Sequence, residues 1–129
     1  MNNLDQKSVT GVAALLVHAA KIDEQYSDNE KHLVREFILS YLKNENANDI
    51  LDQAEKIEKN SNQLLSFTNI IKKENSEIKS DIIKHLWKIM ISDNTVDQYE
   101  SNLMRRICGL IYFPDKISAE IKLQLLNNK

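Results

Sequence analysis

Turn-forming residues are scarce in this chain, with two glycines and one proline in 129 residues. A protein built from short strands needs a residue that tolerates positive φ, or fixes φ, at almost every hairpin, so an all-β fold is excluded. Cysteine occurs once, as Cys108, and no internal disulfide can form. That residue lies four positions after Met104 and three before Ile111 on an apolar helical stripe. It reads as a packed thiol, because a nucleophilic cysteine needs an electropositive, partly open setting and a positioned base. Long apolar runs are missing too: the longest, Val12 to Val17, is far too short to cross a bilayer. Met1 to Asp5 shows no cationic stretch leading into an apolar segment. Finally, charge of one sign is missing, since 17 basic and 19 acidic residues give −2, split 7 against 11 over residues 1–60 and 10 against 8 over 61–129. Without a basic face, nucleic acid is not an expected partner. These absences predict a soluble cytoplasmic protein with no membrane segment.

Helical periodicity fills nearly the whole chain. Val12, Leu15, Leu16, Ala19 and Ile22 make the stripe of a first helix, and Leu33, Phe37, Ile38, Tyr41 and Leu42 that of a second. Asn46 offers a cap for a third helix using Ile50, Leu51, Ala54 and Ile57, and Ser61 one for a fourth carrying Leu64, Leu65, Phe67 and Ile71. Ile78, Ile82, Leu86, Ile89 and Met90 mark a fifth, and Leu103, Met104, Ile107, Leu110 and Ile111 a sixth. Pro114 forces a break before a last helix near Ser118 to Leu126. The expected fold is all-α, a single domain of about seven helices over residues 1–129. The polar stretch from Lys43 to Asn62 reads as a solvated face, and His18, His32 and His85, which share no paired spacing, as surface or helix-flank residues.

The chain repeats itself. Asp23-x6-Glu30-x2-Leu33-x-Arg35 returns seventy residues later as Asp93-x6-Glu100-x2-Leu103-x-Arg105. Apolar positions keep the offset, Leu16 with Leu86, Ala20 with Met90, Val34 with Met104 and Phe37 with Ile107. Two pseudo-symmetric helical hairpins follow, over about 8–43 and 76–113, joined by linking helices over about 47–73 and followed by a C-terminal helix over about 118–127. The symmetry predicts that the two turns lie side by side, with Tyr26 and Val96 near the axis.

Helix starts account for part of each turn. In Ser27-Asp-Asn-Glu30 the hydroxyl can accept from the Glu30 N–H while the carboxylate accepts from the Ser27 N–H, and Asp97 with Glu100 can do nearly the same. Asp23 and Asp93 are different: each follows the C-terminal end of a helix, where the macrodipole disfavours negative charge by a few tenths to about 1 kcal/mol. A bound cation, Arg35 or Arg105, or an Asx-type bond to the turn's backbone would compensate.

Several runs are specific enough to compare: Ala13 to Asp23, Ser27 to Leu33, Leu64 to Thr68, Leu86 to Asp93, and Val96 to Ile107 with its Tyr-Glu-x-Asn-Leu-x-Arg-Arg core. Together they resemble the TerB family of tellurite-resistance-associated proteins, in its small stand-alone bacterial branch, over roughly residues 10 to 122. The resemblance implies an all-helical, non-enzymatic module of metal ions and partner proteins, with an acid of each repeat at Asp23 and Asp93 and a second acidic pair at Glu30 and Glu100. Where the family places Gly after the Asp, this chain has Glu24 and Asn94. Asn tolerates a left-handed turn better than Glu, so the second turn keeps more of the family's geometry.

An eight-position Asp-to-Glu span without a central Gly is not an EF-hand loop. Pooled by the symmetry, Asp23, Glu30, Asp93 and Glu100, with Ser27 and Asp97 as neighbours, would offer oxygen donors that suit calcium or magnesium better than zinc. The same residues can equally serve as caps and ion pairs. Three function classes are therefore carried forward: a module binding partner proteins and a divalent cation in a stress- or tellurite-related system, a purely structural or adaptor bundle, and a hydrolase using the carboxylates. The enzyme ranks last, because the chain has no Ser or Cys with an evident base, no phosphate-cradling glycine loop and no metal-ligand His motif. A DnaJ-type co-chaperone is disfavoured by the lack of a His-Pro-Asp motif.

Overall fold

The computed structural model describes residues 4–23, 26–43, 46–61, 64–92 and 98–127, the side chains of Asp23 and Gln98 excepted. Among these residues there are seven α-helices and no strand: α1 (Gln6–Ala20), α2 (Asp28–Tyr41), α3 (Ala47–Asn60), α4 (Leu65–Lys72), α5 (Ser76–Ile91), α6 (Gln98–Leu110) and α7 (Asp115–Asn127). A 3-10 turn, Lys21–Asp23, extends α1.

The first helix is more deeply placed than its stripe suggested. Val9 through Val17, Ala19 and Ala20 are all buried, and α1 packs against α2, α3, α4 and α5 at once. Five small residues, Gly11, Ala13, Ala14, Ala19 and Ala20, make this possible, since interaxial distance follows the size of the side chains at the crossing. Gly11 is the tightest case: the end of the Ile70 side chain fills the space that a Cβ would occupy. A helix apolar on all sides belongs in the centre, and its neighbours bring only one face each.

The repeat survives in sequence more evenly than in packing. α1 lies close against α2, whereas α5, with Ile82, Ile83, Leu86, Trp87 and Met90, makes its close approaches to α1, α2 and α7 rather than to α6. Both α5 and α6 nevertheless feed one core. Leu16, Phe37, Leu86, Trp87, Leu103 and Ile107 are buried in it, and Leu33 packs against it half-buried. Cys108 is buried there as well, and burial pushes its thiol up from the usual range. Such a thiol stays protonated and packs as a small apolar group.

Helix ends follow the expected chemistry with two corrections. Asp5, Ser27, Asn46 and Asn75 each accept from a backbone N–H of the first turn they open. Ser61 does not cap the fourth helix; its N–H closes the end of α3 on the Glu58 carbonyl, and α4 starts at Leu65 behind Leu64 without a side-chain cap. α7 begins at Asp115, three residues before the expected Ser118, because the Pro114 carbonyl already accepts from the Ser118 N–H. Proline breaks the helix before it but supplies a good start to the next. Between them α6 closes with the Phe113 N–H on the Cys108 carbonyl at 2.8 Å and the Tyr112 N–H on the Gly109 carbonyl at 3.4 Å. This is a Schellman motif, and Tyr112 holds its left-handed position at φ 59° where glycine is usual.

Phe37, fully buried among α1, α2 and α5 side chains, is the sharpest probe of this core. Phe37→Ala is expected to lower the free energy of unfolding by about 3–5 kcal/mol in urea titration. A loss below about 1 kcal/mol would mean that the face is solvent-exposed.

Candidate functional site

Each acidic turn leads into a helix whose third residue is a buried glutamate. Glu30 is 6% exposed and Glu100 4%, and they are two of only five buried polar or charged residues among those described. Burying a carboxylate is unfavourable unless donors surround it. For Glu30 the donors are local: the Ser27 N–H gives to Oε1 at 2.8 Å and the Ser27 hydroxyl to the same oxygen at 3.1 Å. The Glu30 N–H gives in return to the Ser27 hydroxyl at 3.2 Å, completing the expected capping box. Its negative charge also faces the positive end of α2.

Around the first turn the polar face of α3 closes in. Tyr26, half-buried, donates its hydroxyl to Glu55 Oε2 at 2.6 Å. Burial, and after it the Glu55 carboxylate, holds the phenol above its ordinary range. The Lys21 and Lys31 ammonium groups lie 5.8 and 5.1 Å from the same ring centre. Lys21 also pairs with Glu58 Oε1 at 2.8 Å, and His18 Nδ1 lies 3.3 Å from Glu58 Oε2. Burial works to raise the Glu58 carboxyl, but the Lys21 and His18 bonds outweigh it and hold it below the usual carboxylate range. Arg35, one candidate partner for Asp23, instead donates from Nε to Asn48 Oδ1 at 2.8 Å. The stretch expected to be a solvated face is thus, in part, a polar seam fastening the first turn to α3.

Of the predicted site residues, the structure describes Ser27, Glu30 and Glu100. Asp93 and Asp97, with Val96 near the expected axis, lie outside the described residues, as does the side chain of Asp23. Among the described residues no three His, Cys, Asp or Glu groups gather as metal ligands. No buried side-chain nitrogen or oxygen among them lacks a hydrogen-bond partner. The buried glutamates are therefore satisfied by the protein itself.

Residues 10–123 match the family model described as tellurite resistance protein TerB. The chain belongs to the TerB family. Comparison with curated proteins and with solved structures returned no match. In this TerB domain no helix among the described residues is long and apolar enough to cross a membrane.

One histidine departs from the expected surface or flank position. His18 is half-exposed but committed to Glu58, and His85, expected on a flank, has a side chain only 12% exposed. It donates from Nδ1 to the Asp81 carbonyl at 2.8 Å and meets the Phe37 ring edge-on at 5.2 Å. Tyr41 completes the cluster, giving its hydroxyl to Asp81 Oδ2 at 2.8 Å. Only His32 stands in the open, beside Glu36.

Two outcomes follow from this geometry. Ser27→Ala removes half of the capping box and is expected to lower stability by about 1 kcal/mol in urea unfolding. An unchanged midpoint would show that Glu30 is held by other donors alone. For His85, burial lowers the folded pKa below the unfolded 6.5, the Asp81 carbonyl only partly offsetting it. The unfolded chain then binds the extra proton, so this contribution is present above pH of about 6.5 and lost as pH falls toward the depressed value. Urea midpoints measured from pH 7.5 to 5 should fall for the native chain and fall less for His85→Gln; parallel curves would contradict the assignment.

Proposed function

We propose that this TerB domain is a non-enzymatic binding module, cytoplasmic, acting through partner proteins in a bacterial stress or tellurite-related system and taking a calcium or magnesium ion at its acidic turns. The observation that carries the reading is the pair of buried glutamates at one position of both repeats. Glu30 fixes the start of α2 through the Ser27 capping box, and in sequence each glutamate follows an aspartate by seven residues. An aspartate at the trailing end of a helix, against the macrodipole, is a poor choice for stability and a reasonable one for a hard cation that wants oxygen donors. A bound ion would supply positive charge between the turns and leave vacant coordination positions for a partner's oxygen atoms.

The second turn is the stronger candidate. Around the first, Lys21 and Lys31 flank Tyr26 and oppose a further positive charge, and Glu24 stands at the family's glycine position. A purely structural role for the acids is the competing reading, and the complete Ser27–Glu30 capping box favours it.

Melting curves of chelator-treated protein, with calcium, magnesium, manganese and zinc added singly, separate the two. An ion at a hundredfold excess over its dissociation constant should stabilise the fold by about 2.7 kcal/mol. The rise in melting temperature is then roughly 5–10 °C, and Asp93→Asn should remove more of it than Asp23→Asn. No shift with any ion at millimolar concentration would leave the four acids as caps and ion pairs. A shift that survives both substitutions would place the ion elsewhere.

A further inference from the structure

We propose that the cleft between α6 and α7 is a docking pocket for a glutamate side chain of an acidic partner segment. Its volume is about 250 Å³, with Trp87 of α5 and Met104 of α6 as an apolar floor, Ser118 of α7 at the back, and Arg105, Lys122 and Asp115 among the lining groups. The repeat supplies the reason to single out Arg105. Its counterpart Arg35 is spent within the fold, donating to Asn48, whereas among the described residues Arg105 meets no carboxylate and no hydrogen-bond acceptor. Lys122 likewise has no carboxylate among them; its ammonium sits 5.1 Å from the centre of the Trp87 ring, which fixes the charge above the floor. Asp115, the one anion of the lining, forms no ion pair with either cation, so both charges are open to an incoming anion.

The chemistry of the pocket selects its occupant. Arg105 and Lys122 against Asp115 leave one net positive charge, which matches a monoanionic carboxylate and penalises a phosphate dianion. The indole and thioether floor suits methylenes, so glutamate fits better than aspartate. At about 250 Å³ the cleft is smaller than the roughly 300–1,000 Å³ of small-molecule sites and accommodates one side chain. The choice of a protein segment rests on the binding-module reading; the pocket itself uses no residue of the acidic turns.

Trp87 is the chain's single tryptophan and reports on the cleft directly. The full chain is titrated, without divalent cations, with the capped peptide acetyl-Ala-Leu-Glu-Leu-Ala-amide, its Gln counterpart, glutarate and inorganic phosphate, following Trp87 emission. The Glu peptide should give a saturable change at millimolar concentration or below, binding about tenfold more tightly than the Gln peptide. Arg105→Gln and Lys122→Gln should each weaken it by about five- to tenfold, Lys122→Arg should retain it, and Asp115→Asn should tighten it by about threefold. Equal affinity for the Glu and Gln peptides, or no emission change, would overturn the proposal. Glutarate binding as tightly as the peptide would replace the protein segment by a small carboxylate, and tighter phosphate binding would replace the carboxylate. Because no cation is present, failure here leaves the cation result standing, and a missing cation shift leaves this one standing.

Discussion

Burial of α1 from Val9 to Ala20, with His18 alone reaching solvent, is the constraint from which the other helices take their places. A helix buried from Val9 to Ala20 except at His18 must be covered by several partners, and here α2, α3, α4 and α5 do so. The small residues along it let those partners approach closely, so a short bundle encloses a dense centre. One result is that the first acidic turn leaves directly from the most deeply buried helix, through the 3-10 turn Lys21–Asp23. Another is that α7, which packs on α5 and α6, is an outer addition with a single buried residue, Ser118. The α6–α7 cleft exists because that addition covers Trp87 without filling the space above it.

The turns show how local and tertiary demands coincide. Glu30 satisfies a helix start, neutralises part of its dipole and fixes the turn backbone with one carboxylate. Because each of these functions is short-range, it is encoded by spacing, and Ser27-x2-Glu30 could be read without coordinates. The same holds for the core positions Leu16, Phe37, Leu86 and Ile107, where helical period carries the information. Family membership was visible for a related reason, since the runs around both turns are unusual in kind as well as in order.

What sequence reasoning missed depends on partners far along the chain. Nothing within a few residues of Glu55 or Glu58 indicates that Tyr26, Lys21 and His18 will reach them, so the polar face of α3 looked merely solvated. His85 is flanked by Lys84 and Lys88, and its burial follows only from the packing of α5 against the Phe37 face of α2. The amphipathic stripe of α1 underestimated its burial because alanines count weakly in an apolar pattern while taking up little room in a core. The contrast between Arg35 and Arg105 is tertiary as well: the motif is the same, and only the neighbouring helix decides whether the guanidinium is used inside the fold.

Native-state hydrogen exchange tests the central role of α1 most directly. If α1 is the frame on which the other helices pack, amides from Val12 to Ala20 should exchange only through global unfolding, with opening free energies equal to the stability from urea titration. Amides of α7 should exchange through a smaller local opening. Exchange of the α1 amides at lower free energy than those of α3 or α7 would contradict the account.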